Sequence, residues 1–540
     1  MHLFFADLYP QEQDILHSAL PWFSSHPYVK VVQPDEPSTW PYRVYKSSPY
    51  KPPYLDITGN GGEIAEGYLF FTPSLKKGVP TPQNLPLIMG QDNELVFCMD
   101  GQSADPHVKL KHLRPQMING TPHITVWQGL IGTGHGYGQV IILDDEYMQS
   151  KVTLDLVITP NIGHRFPNPP PGIIDFHEGY VTSYGTIIVT AYNNTPWDLT
   201  PLGGPRDGWA INSMFYEIDL KTMEIVFSWK HFDHFDIARS YIPLPSHLGD
   251  GSPERAYDPF HLNAVQRLGD TFLVNSKHHC AVYMVSRNTG EVMWELDGRG
   301  DGGSFGTLPP EARFRWQHHA RAHNLTHDSF VLSLFDNHNG KYDKDPDKTP
   351  TSSRGLVLEL SLPPNPKLPP KLLRHLDPPN DTFIRSQGSF EIGLSNHNQL
   401  VGYGESPVFR EYGPTGDSSD IRSEIRFAHD NASQNYRVFK SEWRATPRGW
   451  SPSLVYEKEG DSLKGYVSWN GATEVEWWKV YTVERGGRLE PIGKAFRDGF
   501  ETVINIPRKF NGTDCIAVAA MQGGEEIRQS NIACLKLESS

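Results

Sequence analysis

The chain has 540 residues, with 63 acidic against 49 basic side chains and a formal net charge of −14, a balance that argues against nucleic acid and anionic membranes as partners. Mean hydropathy is −0.48, and no apolar run approaches the ~20 residues needed to cross a bilayer as a helix. The 48 glycines and 45 prolines suit many turns and few helices, in a chain long enough for one large domain and a small one.

In chain order, Ile15, Leu16, Ala19, Leu20 and Phe23 recur at helical spacing and predict a short amphipathic helix over 10–23. Residues 25–60 are rich in Pro, Tyr and Ser and read as an extended arm, so 1–60 forms an N-terminal helix and arm. From 61 to 430 short apolar runs recur, closed by Gly, Asn and Asp. The clearest set lies between Phe260 and Leu296: LNAVQ, TFLVNS, AVYMVS and EVMWEL, separated by turns at Leu268-Gly269-Asp270, Lys277-His278-His279 and Asn288-Thr289-Gly290. Four strands in under forty residues make one antiparallel sheet of the size of a propeller blade. One such sheet cannot bury both faces, so further copies are expected. Runs opened by His177, His318 and Gln387 fit the same frame, as do HITVWQG, GYLFFTP and ELVFCMD. The fold class predicted is all-β, a six-bladed β-propeller over 61–430, with five or seven blades as the next counts. Insertions at 161–173, 196–212, 233–258, 298–315 and 339–354 are long enough to wall the channel mouth. After about 450 the strand spacing becomes short and even, which predicts a C-terminal β-sandwich over 450–540 with Trp469 and Trp478 in its core.

Four cysteines are present without a CxxC, so cysteine-bound zinc is not expected. Cys515 and Cys534 fall in strand-like runs and are candidates to pair. Six sequons begin at Asn119, Asn193, Asn324, Asn380, Asn431 and Asn511, pointing to a secreted, N-glycosylated protein. Asp7 breaks the only early apolar run, so no leader is read.

The inner strand of each blade lines the channel, and in four successive repeats it opens with His177, His261, His318 and Gln387. Three imidazoles and an amide should therefore face one volume. Asn263 shares the face of His261 by alternation. Lys277 lies at the end of the next strand, Arg321 follows His318 by three, and Asp336 and Asn337 end the adjoining strand. Trp127, Trp209, Trp316 and Phe335 supply candidate aromatic walls. No H-E-x-x-H or close His/Asp set indicates a metal. No P-loop, dinucleotide fingerprint or G-x-S-x-G elbow appears, so no cofactor is expected.

FHLNAV, VNSKHHCAVYMVSRNTGEVMWELDG, QHHAR, SLFDN, SRGLVLEL, SQGSF, FHEGYVTSYGTIIVTAYNNTPWDL and YVSWNGATEV together resemble the arylsulfotransferase-like family of secreted fungal proteins, over roughly residues 55–505. The resemblance implies a propeller followed by a sandwich. Through the family's bacterial relatives it also implies sulfuryl transfer between phenols, with His318 as nucleophile, His261 and Asn263 on the sulfuryl oxygens and His177 as a further pocket histidine. Lys277 stands where the bacterial relatives carry arginine, and Gln139 where fungal relatives often show histidine. Some similar proteins are pericyclases that join a tropolone o-quinone methide to a humulene-type sesquiterpene. Three functions follow: a sulfuryl transferase, a hetero-Diels-Alderase using the same pocket, and a non-catalytic binding propeller. All three expect an aromatic small molecule at the channel mouth.

Overall fold

The computed structural model describes residues 20–34, 40–75, 85–99, 105, 107–132, 134–154, 170–338, 352–380, 382–484, 486–510 and 512–535. Among them the regular structure is strand, interrupted by single turns of 3-10 helix.

The strands of the larger domain form four-stranded antiparallel units in which chain order runs from the inner to the outer strand. Leu262–Leu268, Thr271–Ser276, Ala281–Ser286 and Val292–Asp297 make one unit, and His318–His323, Ser329–Asp336, Arg354–Ser361 and Lys371–Leu376 the next. Lys109–Ile118 and Ile174–Val181 open two further units, joined into one eight-stranded sheet by the single pair Gly138–Ile174. Ser389–Glu391 opens a unit whose outer edge takes Asp56–Thr58 as a fifth strand. The ring is closed by Phe439–Ser441, which pairs with Tyr68–Phe71. The boundary expected at 430 therefore falls short of the closing strand. That pairing ties the two ends of the domain into one four-stranded sheet, with Phe439–Ser441 and Leu95–Cys98 as its two edge strands. Inner strands of neighbouring units pack side by side around the axis. Between the units lie apolar layers, such as Val282, Leu296, Phe314, Leu332 and Leu358.

The predicted helix lies largely outside the described residues. Its last part, 20–23, is extended, and Phe23 is buried in the sandwich core. Gly493 makes the room: a Cβ there would lie 2.3 Å from the Phe23 ring. The arm then contributes Ser25–Pro27 as an edge strand to Glu501–Ile506. The sandwich packs this sheet, with Ser453–Glu459 and Ser462–Ser468, against a second one containing Trp477–Val483, Leu489–Phe496, Cys515–Gln522 and Glu525–Gln529. Trp469 and Trp478 sit in the core between them. Cys515 and Cys534 are register partners on paired strands and form a disulfide.

The insertions 161–173 and 339–354 fall mostly outside the described residues. That at 196–212 is partly strand, since Thr186–Trp197 and Gly208–Asp219 form one long hairpin. With 233–258 it builds a local core of Leu199, Ala210, Ile237, Ile242 and Tyr257 that packs on Trp316 and Cys280. These loops are thus anchored against the end of the channel at which the inner strands begin.

Candidate active site

The inner strands begin at one end of the axis, and their first residues meet there. The His177 and His261 rings approach edge to face with centroids 4.9 Å apart. Each is held by an acid that precedes it in sequence. His177 Nδ1–H donates to Asp175 Oδ1 at 2.5 Å, and His261 Nδ1–H to Asp258 Oδ2 at 2.7 Å. His318 follows the same plan with an amide: its Nδ1–H donates to Asn337 Oδ1 at 2.7 Å. Asn337 is itself fixed by donating to the carbonyls of Ile384 and Gln387. Each of the three thereby has its Nδ1 proton committed, and the His261 and His318 rings keep a lone pair on Nε2. The lone pair of His318 accepts the Gln387 backbone N–H at 3.2 Å.

His112, His261, His319 and Gln387 all have φ between +53 and +68°, a left-handed region sparsely populated by residues other than glycine. The strands are bulged here as well, with register breaks between Ile174 and Gly179, Leu262 and Ala264, and His318 and Arg321. The bulges turn the first residues of each strand toward the axis rather than along the sheet.

Burial makes this mouth a poor place for protons. It holds the His261 and His318 imidazoles well below the usual range, and the Lys277 ammonium pushes both further down. Both are neutral near pH 7. Lys277 is itself lowered to about 8 by burial, against the opposing pull of Asp258 and Glu405. Its ammonium lies 4.8 Å from the centre of the Trp316 ring, a cation–π contact that offsets part of the lost hydration.

Several partners of the cluster were not read from the sequence. Asp175 and Asp258 orient the histidines, and the spacing D-F-H and D-P-F-H was their signal. His278 packs 4.8 Å from His261 and donates from Nδ1 to the Asp258 carbonyl. Tyr192 stacks on His135 and flanks both His177 and His261. Tyr436 stands edge-on to His177, beneath it on the axis. Ligand-type atoms of Asp258, His261 and His278 lie within 4.8 Å of one another, a close set that the sequence did not reveal. The Asp258 carboxylate is already taken by His261, and Lys277 acts on both imidazoles with a charge that opposes a cation.

Other predicted residues are placed differently. Asn263 is turned away: its Oδ1 accepts from Asn275 and its Nδ2 donates to the Gln317 carbonyl. Trp127 is core, with its indole N–H bonded to the Ile174 carbonyl and its ring covered by Gly129, Gly136 and Gly138. Phe335 is core as well, packed on Gly388 and Tyr403. Asp336 accepts from the Arg315 backbone and pairs with His338 and Arg354. Trp209 packs against Tyr192 and Ile211 at the edge of the mouth. Gln387 reaches Gln434 with its side chain. Gln139 bonds Gln128 within its own sheet.

Arg321 is displaced furthest from its expected role. It bonds Glu178, as do Arg114 and Arg437, at 2.6, 3.0 and 3.2 Å. This fully buried carboxylate and its three guanidiniums cross the axis below Tyr436. Burial alone would raise Glu178; the three arginines outweigh it and hold the carboxyl far below its ordinary value. A cavity of about 610 Å³ opens beyond this plug, at the opposite end of the channel.

Residues 114–421, over half of the chain, match the family model described as Arylsulfotransferase (ASST). Among solved structures, the chain is similar to a protein from Lactobacillus plantarum, at 13% identity over 82% of this chain and 100% of that one, with a TM-score of 0.31. It is also similar to KlHsv2 with loop 6CD replaced by a Gly-Ser linker, at 6% identity over 68% of this chain and 94% of that one, TM-score 0.23. Hsv2 from Kluyveromyces marxianus matches at 7% identity over the same shares, TM-score 0.21. No curated protein matches the chain.

Proposed function

The chain belongs to the arylsulfotransferase (ASST) family, and on that premise we propose that it moves a sulfuryl group from one phenol to another through His318. The observation that carries the reading is the tautomer of His318, which is neutral and has its Nδ1 proton committed to Asn337. Nε2 attacks the sulfur of an aryl sulfate, and the sulfur–aryl oxygen bond breaks with its electron pair leaving on the phenolate. The acceptor phenol then attacks the same sulfur, the N–S bond breaks, and the pair returns to Nε2. The acceptor's proton passes through the neutral His261 Nε2 to solvent or to the departing phenolate. The charge of the transferring group needs fixed donors, as in phosphoryl transfer, and Lys277 supplies the cation nearest to the histidines.

Because burial brings Lys277 to about 8, kcat/KM for an aryl sulfate should fall as pH rises through that value. Below it the ammonium is charged and stabilises the sulfuryl oxygens; above it the charge is gone. Lys277→Arg should remove this limb, since arginine stays protonated. A pH profile of both proteins checks it, and an unchanged limb in the variant would assign it to another group.

One observation favours a second reading. The Gln387 N–H occupies the His318 lone pair, as suits a site that positions two apolar partners without a covalent step. This is the pericyclase alternative, in which orientation carries the rate and the Lys277 ammonium donates a hydrogen bond to an electron-poor carbonyl.

Secretion belongs to the same proposal. The Cys515–Cys534 disulfide supports an oxidising compartment, and Asn119, Asn324, Asn380 and Asn431 are exposed, while Asn193 is half-buried. Protein from its natural source should gain gel mobility on treatment with a peptide N-glycosidase. Identical mobility before and after would remove glycosylation from the proposal.

A further inference from the structure

The cavity beyond the plug has no part in the reaction proposed above. Its floor is Arg114 and Arg321, stacked on the Tyr180 ring with guanidinium carbons 4.9 and 5.5 Å from its centre. Behind them Arg437 shares the same carboxylate. Three guanidiniums meet one Glu178, which leaves an excess of two positive charges in a buried layer. Lys440 does not add to it, because Glu411 pairs with it at 2.7 Å. Arg321 is nine-tenths buried or more, and its Nε, like that of Arg437, is buried with no hydrogen-bond partner. Buried cations without a counter-charge are costly. The walls above the floor are partly apolar, with Phe390 and Ile392, and the volume falls in the range of small-molecule sites.

We propose that this cavity is a second ligand site, which binds a small organic anion with its oxyacid head on Arg114 and Arg321 and its apolar body along Tyr180, Phe390 and Ile392. The site is separated from the histidine mouth by the Glu178 plug and by Tyr436. Its occupant is therefore independent of the substrate.

Glu391 decides when the site is open. It lines the cavity and accepts the Lys440 backbone N–H at 3.4 Å. Burial raises its carboxyl to about 7, with Arg114, Arg321 and Arg437 pulling the other way. The other titratable groups that face it are His319, His323, Lys440, Glu66 and Glu442. Burial keeps His319 and His323 neutral; Lys440 stays paired, and the rim carboxylates Glu66 and Glu442 are solvent-exposed. Below about pH 7 Glu391 is neutral and the anion is admitted; above it, the new carboxylate repels the head group.

The test is calorimetric titration of the full chain with benzoate, with benzenesulfonate and with neutral benzamide. Benzoate and benzenesulfonate separate a carboxylate from a sulfur oxyacid head. Either anion should bind at one site at pH 6, and benzamide should not. Affinity should fall by up to about tenfold from pH 7 to pH 8, the limit for one obligatory proton. Glu391→Gln should bind as well at pH 8 as at pH 6, a gain that a folding defect cannot mimic. Arg321→Met should lose binding, and His318→Ala should keep it, which sets the site apart from the reaction mouth. Failure of both anions to bind, binding equal to that of benzamide, pH-independent binding in the wild type, or loss of binding in His318→Ala would each overturn the proposal.

Discussion

Replacing His318 by alanine should lower sulfuryl transfer from an aryl sulfate by about 10⁴-fold or more, the scale seen when a covalent nucleophile is removed. The wild-type protein, quenched during turnover, should carry one sulfuryl group on the peptide containing His318, and the variant none. Asn337→Ala tests the same arrangement from behind. It leaves the imidazole in place but frees its Nδ1 proton, so that the tautomer is no longer set; a fall of about 10²–10⁴-fold is expected by analogy with other orienting partners. The covalent step also requires that the Gln387 N–H release Nε2 at 3.2 Å, a single neutral hydrogen bond of about 1 kcal/mol net. That is small beside the barrier a nucleophile removes, so the contact does not disqualify His318. If His318→Ala keeps rates within about tenfold of wild type, with only product ratios changed, the weight passes to non-covalent positioning and the pericyclase reading.

The three histidines were legible because the repeat frame places them at equivalent points on successive inner strands, and packing around an axis brings equivalent points together. The direction of their neighbours was not legible. Alternation put Asn263 beside His261, and a separation of three residues put Arg321 near His318, but the breaks at Leu262/Ala264 and His318/Arg321 shift the two-residue period, so Asn263 turns into an amide network and Arg321 crosses to the plug. Trp127 and Phe335 read as wall residues because aromatic side chains are rich in both walls and cores; Gly129 on the same strand and Gly136 and Gly138 on the next cover Trp127, and Gly388 in the following unit covers Phe335. The closing strand Phe439–Ser441 and the arm strands Ser25–Pro27 and Asp56–Thr58 are three residues each. Such runs are too short to show a period, and their partners lie hundreds of residues away, at Tyr68–Phe71, Glu501–Ile506 and Ile421–Arg426.

Glu178→Gln should be among the most damaging single changes to stability, at about 3–5 kcal/mol, although it keeps the shape of the side chain. The carboxylate accepts from Arg114, Arg321 and Arg437 and from the Val265 backbone. Removing its charge strands three buried guanidiniums, and breaking a buried pair costs far more than the pair contributes when intact. Removing one cation should cost less, since two arginines still face the carboxylate and the positive excess falls by one. Arg437→Met should therefore sit between wild type and Glu178→Gln in urea midpoint, and in the double variant it should recover part of the loss. The sign of the pH dependence follows from the direction of the shift. The folded carboxyl is held far below its unfolded value, so its contribution is present above about pH 4.5 and is lost as pH falls below that. Between pH 6 and pH 3 wild type should lose more stability than Glu178→Gln, and the two curves should converge toward the acid end. A Glu178→Gln protein as stable as wild type at pH 6, or a gap that widens in acid, would show that the arginines are satisfied without this carboxylate and that the plug is held by packing alone.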